Sequence, residues 1–254
     1  MLLRDLTVLR KTLNEFLPRT VLQPFLLVFV FTYVFPKIGQ RVGATAGAAA
    51  SFSSLLVPGV VAIACMFQGI QSVAIPLVQE FSFSREIEDR VMAPLPVWAV
   101  AMEKIVAGAI QGLLAGLVVF PLAALIPSTP VHLDIRWAVL IPTLLLASLL
   151  GASLGLAVGT RVNPRQITLV FGLIVIPITF LGATYYPWAS LTPIPWLKWL
   201  VLANPLVYMS EAFRISLTPQ IPHMPLAAAM GALFGFTLLL GWFGVRWFAR
   251  RVQT

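Results

Sequence analysis

The sequence predicts an all-α membrane protein: six transmembrane helices, an N-terminal amphipathic interface helix, and a re-entrant helical hairpin before the last span. Three observations predict it. Of 254 residues, 59% are hydrophobic and only 10% charged. An average globular chain is about 45–50% apolar and about 25% charged, and a soluble domain this poor in charge has too little polar surface to cover itself. Apolar runs recur along the chain at lengths that suit a bilayer crossing. The Lys and Arg residues stand at the edges of those runs and are unevenly divided between alternate loops. The chain reads as a single membrane domain over residues 1–254, without a low-complexity linker or a separate soluble domain.

The first element is residues 1–18. Leu2, Leu3, Leu6, Leu9, Leu13, Phe16 and Leu17 recur at helical spacing, while Arg4, Arg10, Lys11 and Asn14 fall largely elsewhere on the wheel. That pattern suits a helix lying in the cytoplasmic interface. The other reading is an extension of the first span, and Pro18 argues for a break between the two. Charges throughout this stretch speak against a cleaved signal peptide, so the N-terminus is expected to be retained.

Spans are expected at roughly 21–36, 55–79, 98–124, 137–159, 167–184 and 226–245. The first and fifth are short. Pro24, Pro58, Pro76, Pro121, Pro142 and Pro177 fall within these runs. In lipid, neighbouring groups satisfy the freed carbonyls, so these prolines are expected to kink or end helices rather than abolish them. Three sets of glycines at four-residue spacing, Gly108/Gly112/Gly116, Gly151/Gly155/Gly159 and Gly231/Gly235, predict faces where backbones approach closely.

Orientation follows from the basic residues. With the N-terminus inside, the inside segments hold Arg4, Arg10, Lys11, Arg19, Arg85, Arg90, Lys104, Arg161, Arg165, Arg246, Arg250 and Arg251, which is 12 of the 17. The outside segments hold Lys37, Arg41, Arg136, Lys198 and Arg214. Both termini are therefore expected in the cytoplasm. The net charge of +8 is explained by this bias, and no nucleic-acid partner is expected.

Reactive groups are scarce where a reaction in the membrane needs them. Asp5, Glu15, Glu80, Glu86, Glu88, Asp89, Glu103, Asp134 and Glu211 all fit loops or span ends, and His132 and His223 fall in outside loops. No intramembrane proton carrier, nucleophile–base pair or HExxH metal set is present, so no catalytic residue and no metal site is expected. No GxxxxGK[ST] occurs either, so any ATP is bound by another polypeptide. Cys65 lies in an apolar run and reads as a small buried hydrophobe. The polar groups left inside spans are neutral. Gln68 and Gln71 are three apart on the second span, beside Ser72, and Gln111 is on the third. They either bond helix to helix or line a path for an amphiphilic substrate.

Two segments are more than spans. Residues 80–104 form an inside loop crowded with Glu80, Arg85, Glu86, Glu88, Asp89, Arg90 and Glu103. Residues 84–92 read as a short helix capped by Ser84 and ended by Pro94 and Pro96. This is either a solvated loop or a docking knob for a soluble partner. Residues 184–214 are too broken by Pro187, Pro193, Pro195 and Pro205 for one span, yet too rich in Tyr and Trp for a free loop. They read as two short helices dipping into the outer leaflet and joined near Asn204–Pro205. Asn204 is expected to cap or turn the chain. Glu211 and Arg214 are three apart on a helix and are expected simply to pair, worth a few tenths of a kcal/mol.

With these residues in view, the chain resembles the permease subunit of ABC-2-type transporters, a family of drug-, lipid- and polysaccharide-export permeases. The resemblance rests on Tyr186–Pro187, on Pro195–Trp196–Leu197, on Asn204–Pro205–Leu206 with Tyr208, and on Ala212 and Arg214. The Glu/Arg-rich loop ending in a proline turn and the overall plan agree with it. The resemblance implies a non-enzymatic subunit in the cytoplasmic (plasma or inner) membrane of a prokaryote, embedded in lipid. It implies pairing with a second permease copy or paralogue, and two ABC ATPase subunits that hold Mg-ATP. Residues 80–97, with Arg85, Glu86, Glu88, Asp89 and Arg90, would be the coupling helix that docks the ATPase. Residues 184–214, with Tyr186, Pro187, Pro195, Trp196, Asn204, Pro205 and Tyr208, would close the outer end. The modest outside loops depart from family members with a large ectodomain between the first two spans. The implied activity is outward movement of an amphiphilic, lipid-linked or glycan substrate, past Gln68, Gln71 and Gln111. The alternative is an ATPase-independent secondary transporter or channel.

Overall fold

The computed structural model describes residue 7 and residues 13–38, 52–81, 96–127, 133–162, 166, 169, 172–173 and 176–253. Regular structure among these residues is all helical, with no β-strand. The loop residues Arg85, Glu86, Glu88, Asp89 and Arg90 lie outside the described residues, as does most of the predicted interface helix.

Helix α1 is Leu13–Val28 and contains both Pro18 and Pro24. The break expected at Pro18 does not occur. A proline removes one backbone bond and bends a helix, but apolar surroundings offer the remaining amides no partner other than the helix itself. The chain continues as a π-turn, Phe29–Val34, and a closing turn, Phe35–Lys37. Buried Thr32 lies in the π-turn and donates its hydroxyl to the Val28 carbonyl at 2.6 Å. In place of the first predicted span stands a shorter apolar helix, Thr20–Val34.

Four helices among the described residues are long and apolar enough to cross a membrane. They belong to α2 (Phe52–Gln79), α3 (Val97–Leu125), α4 (Trp137–Arg161) and α8 (Leu226–Gln253). Pro58, Pro76, Pro121 and Pro142 are carried inside them without ending them. Helix α8 runs beyond the predicted end at 245, because Arg246, Arg250 and Arg251 extend the helix instead of forming a loop. The predicted fifth span at 167–184 lies largely outside the described residues. Its described part is the short helix α5, Ile176–Phe180, followed by a turn.

Helix α2 is central and packs against α1, α3, α4 and α7 (Pro205–Leu217). Its Leu56, Ile63, Met66 and Leu77 side chains are fully buried. Two of the glycine sets explain the closeness of this packing. A Cβ on Gly155 would sit 2.9 Å from the Ile70 Cα, and one on Gly112 would sit 3.0 Å from the Cys65 carbonyl oxygen. Gly69 reciprocates from α2, where a Cβ would sit 2.8 Å from the Ala152 amide nitrogen. In lipid there is little hydrophobic drive between helices, so association rests on van der Waals contact that only small residues permit. Gly231 and Gly235 differ: among the described residues a Cβ on either meets nothing within 4 Å, so the third glycine set packs against none of them. The surrounding face of α8 is also open, with Phe234, Leu238, Leu239 and Trp242 each 50–58% exposed.

Contacts define the two ends of the bundle. At one end the close of α2, the start of α3 and the closes of α4 and α8 meet. Lys104 contacts Glu80, Phe81 stacks on Phe248, and Arg251 donates to the Thr160 carbonyl. The opposite end carries α5, the short helix α6 (Pro195–Leu200) and α7. There the amides of Asp134 and Arg136 donate to the carbonyls of Leu217 and Ser216 at 2.9 and 2.8 Å.

Candidate functional site

A group of polar side chains lies where α1, α2 and α3 meet. Thr20 donates to Gln68 Oε1 at 3.2 Å, and Gln68 Nε2 donates to Gln111 Oε1 at 3.4 Å. Three helices are thereby joined by one short chain of neutral amide and hydroxyl groups. The same face opens on a cavity lined by Thr20, Gln23, Pro24, Val60, Ile63, Ala64, Phe67, Gln68 and Gln71. Gln68 and Gln71 therefore share one cavity wall, and Gln111 stands behind Gln68. Of the two readings, the structure shows the helix-to-helix bonding, through Gln68 to Thr20 and Gln111. Sequence reasoning missed Thr20 and Gln23. Their three-residue spacing in an apolar run was the available signal.

The segment at the opposite end is built from ended helices, and its problem is unsatisfied backbone. After α5 the chain leaves helical geometry, and the last carbonyls of a helix have no intrahelical donor. Side chains of α7 and its cap supply donors. Asn204 Nδ2 donates to the Ile178 carbonyl at 2.7 Å, and Ser210 Oγ donates to the Gly182 carbonyl at 2.7 Å. Arg214 Nη2 donates to the Ala183 carbonyl at 3.0 Å. Ala183 has φ of 52°, in the left-handed region. For a residue with a Cβ that geometry costs roughly 1–2 kcal/mol. It persists here under full burial with its carbonyl fixed by Arg214.

Glu211 and Arg214 make the centre of this arrangement. The Arg214 Nη1 to Glu211 Oε1 distance is 2.5 Å, and both side chains have zero exposure. The expected pair is present, and it is buried. The i,i+3 spacing set the pairing, but the surrounding turns, which close over α7, set the environment. Glu211 also accepts the Trp188 amide at 2.9 Å on Oε1 and the Met224 amide at 2.7 Å on Oε2. Two charges taken out of water are tolerated only when such additional hydrogen bonds are present. Arg214 Nε is buried without a hydrogen-bond partner among the described residues.

The remaining signature residues surround this pair. Asn204 Oδ1 accepts the Leu206 amide at 3.0 Å, so Asn204 caps α7 as expected, and Pro205 occupies the first helical turn. Tyr208 Oη donates to the Leu202 carbonyl at 2.9 Å, and Tyr186 Oη donates to the Phe180 carbonyl at 3.2 Å. Pro187 is buried and precedes the 3₁₀ turn Trp188–Leu191. Trp188 Nε1 donates to the Lys198 carbonyl at 3.1 Å, with Lys198 Nζ 4.5 Å from the Trp188 ring centre. Pro195 starts α6, which carries Trp196 and Trp199 outward at 68% and 70% exposure. The segment therefore has an inner face held by hydrogen bonds and an outer apolar ledge.

At the other end, Lys104 Nζ lies 2.5 Å from Glu80 Oε1, and both side chains are nearly buried. The pair ties the close of α2 to the start of α3, the two flanks of the Glu/Arg-rich loop. No group of three or more His, Cys, Asp or Glu side chains placed to hold a metal occurs among the described residues.

Comparison with known proteins agrees with this architecture. The family model described as ABC-2 type transporter matches residues 4–218. Inner membrane transport permease YadH of Escherichia coli K12 is 28% identical over 187 residues, covering 73% of this chain and 70% of the relative. The permeases of the same name in Escherichia coli O157:H7 and Shigella flexneri match to the same extent.

Proposed function

Because the chain belongs to the ABC-2 type transporter family, we propose that it is the membrane-spanning permease subunit of an ATP-driven exporter, powered by separate ATPase subunits. The observation that carries the reading is the family match over residues 4–218 on a chain whose described part is an apolar helical bundle. The chain sits in the cytoplasmic membrane, as the name of its Escherichia coli relative states for that protein. Both termini face the cytoplasm, with the short helix Thr20–Val34 and the segment 167–184 completing six spans.

Two ATPase subunits bind Mg-ATP beneath a pair of permeases, the second being a copy or a paralogue of this chain. Residues 80–97 are the coupling helix, and Arg85, Glu86, Glu88, Asp89 and Arg90 contact the ATPase. The Lys104–Glu80 pair supports this role, because it joins the loop's flanks to two spans at once. Residues 184–214 form a re-entrant hairpin that closes the outer end. In favour of this are the hydrogen-bonded inner face of that segment and the exposed Trp196 and Trp199, which suit the headgroup level. The substrate is an amphiphilic, lipid-linked or glycan molecule moved outward past Gln68, Gln71 and Gln111. Neutral amides bordering a narrow cavity favour hydroxyl-bearing headgroups over ions.

The test is a mild-detergent pull-down of the tagged chain from its native membrane, with mass spectrometry of what accompanies it. A stoichiometric P-loop ATPase is the expected result. A chain recovered alone, under conditions that preserve other such complexes, overturns the ATP-driven reading.

A further inference from the structure

We infer that the basic end of α4 and α8 carries a binding ledge for the headgroup of an acidic phospholipid. The closing turns of α8 present Trp242, Phe243 and Trp247 as a continuous ladder of rings, with centroids 4.9 and 5.3 Å apart. An arginine covers each end of the ladder. Arg246 lies 5.1 Å from the Trp242 ring centre, and Arg161, arriving from α4, lies 4.0 Å from that of Trp247. Both arginines are exposed. Among the described residues neither has an ion pair or a hydrogen bond, although each lies over an indole ring.

Arg251 shows the contrast. It turns inward, donates to the Thr160 carbonyl and covers the Phe81 ring. Stacking on an indole fixes a guanidinium by its face and leaves the N–H edge free, and that edge matches two phosphate oxygens at once. Trp242 is 55% exposed next to these cations, which places an amphipathic ring where acyl chain meets headgroup. Two outward cations with no acidic partner among the described residues are complementary to net negative charge, which selects acidic over zwitterionic phospholipid.

The test is lipid retention by the purified full-length chain. The chain is exchanged into mild detergent with equal amounts of phosphatidylglycerol and phosphatidylcholine, and bound lipid is read by native mass spectrometry. Wild type is expected to retain phosphatidylglycerol preferentially. Removing one guanidinium is expected to lower that preference roughly fivefold, and removing both roughly 25-fold. The variants are Arg246→Gln and the double variant R161Q/R246Q. If the double variant does not fold, Arg246→Gln alone decides, because Arg246 is exposed and lies over the ring of Trp242 on its own helix. Equal retention of the two lipids by wild type, or unchanged preference in Arg246→Gln, overturns the inference. So does loss of a co-purifying protein from the variants with lipid preference unchanged.

Discussion

Glu211 and Arg214 form an ion pair with no solvent exposure, and between them they fix three backbone groups from three different turns: the Ala183 carbonyl and the Trp188 and Met224 amides. The pair is the pin around which residues 181–224 are folded.

Removing one partner leaves the other charge buried. Glu211→Ala and Arg214→Ala are each expected to cost about 3–5 kcal/mol of stability. The double variant is expected to cost clearly less than the two singles combined, since no charge is then stranded. Equilibrium unfolding of the detergent-solubilised chain checks this. Additive losses would mean that the two residues act separately.

Glycine positions separate internal packing from open surface. Gly155→Val forces the backbones of α2 and α4 apart and is expected to destabilise by about 1–3 kcal/mol. A Cβ added at Gly235 meets no neighbour within 4 Å among the described residues. The effect of Gly235→Val on unfolding of the single chain is expected to stay near the one-half kcal/mol usual for surface changes, apart from the small helix-propensity difference. The same unfolding assay compares them, and a large loss at Gly235 would place an unseen partner on that face of α8.

Gln68 bonds to both Thr20 and Gln111, so Gln68→Leu removes two interhelical contacts. Such bonds average about 0.6 kcal/mol each in a membrane bundle, so the folded chain is expected to survive. Transport is expected to fall much further than stability does. A photo-crosslinker at Gln71 is expected to capture substrate during turnover, and a crosslinker that never captures it would remove the path from this cavity.

Charge reversal at Glu88 and Asp89 tests the coupling role. E88K/D89K is expected to lower substrate-stimulated ATP turnover of the complex several-fold while membrane insertion stays intact. Turnover equal to that of the unaltered complex would return this loop to an ordinary solvated segment.

Asn204 caps α7 and holds the Ile178 carbonyl. Asn204→Ala is expected to cost about 0.5–2 kcal/mol for the cap, with more for the stranded carbonyl. Asn204→Asp keeps the acceptor for Leu206 but loses the donor, so it separates the two contributions in a thermal melt.

Much of the bundle was legible in the sequence, because in lipid a long apolar run has few options other than a helix. The limits of α2, α3 and α4 follow the hydropathy closely, and the cap at Asn204 follows from the asparagine–proline pair. The helix that passes through Pro18 was not legible. A local propensity argued for a break, and the surroundings that keep the helix whole are not local. Gly231 and Gly235 repeat the spacing of the packed glycines, yet spacing alone does not say whether a neighbour stands opposite.

The sequence by itself determined that the chain is a helical membrane bundle, where its long spans lie, and to which family its broken aromatic segment belongs. Composition, periodicity and motif order are properties of the linear chain, and they suffice for that. Only the tertiary structure decided that Glu211 and Arg214 are buried, that Thr20 joins Gln68 and Gln111, and that Arg161 of α4 reaches the ring ladder of α8. Each of these depends on which distant segments come together, because burial and partner choice are set by the neighbours the fold supplies.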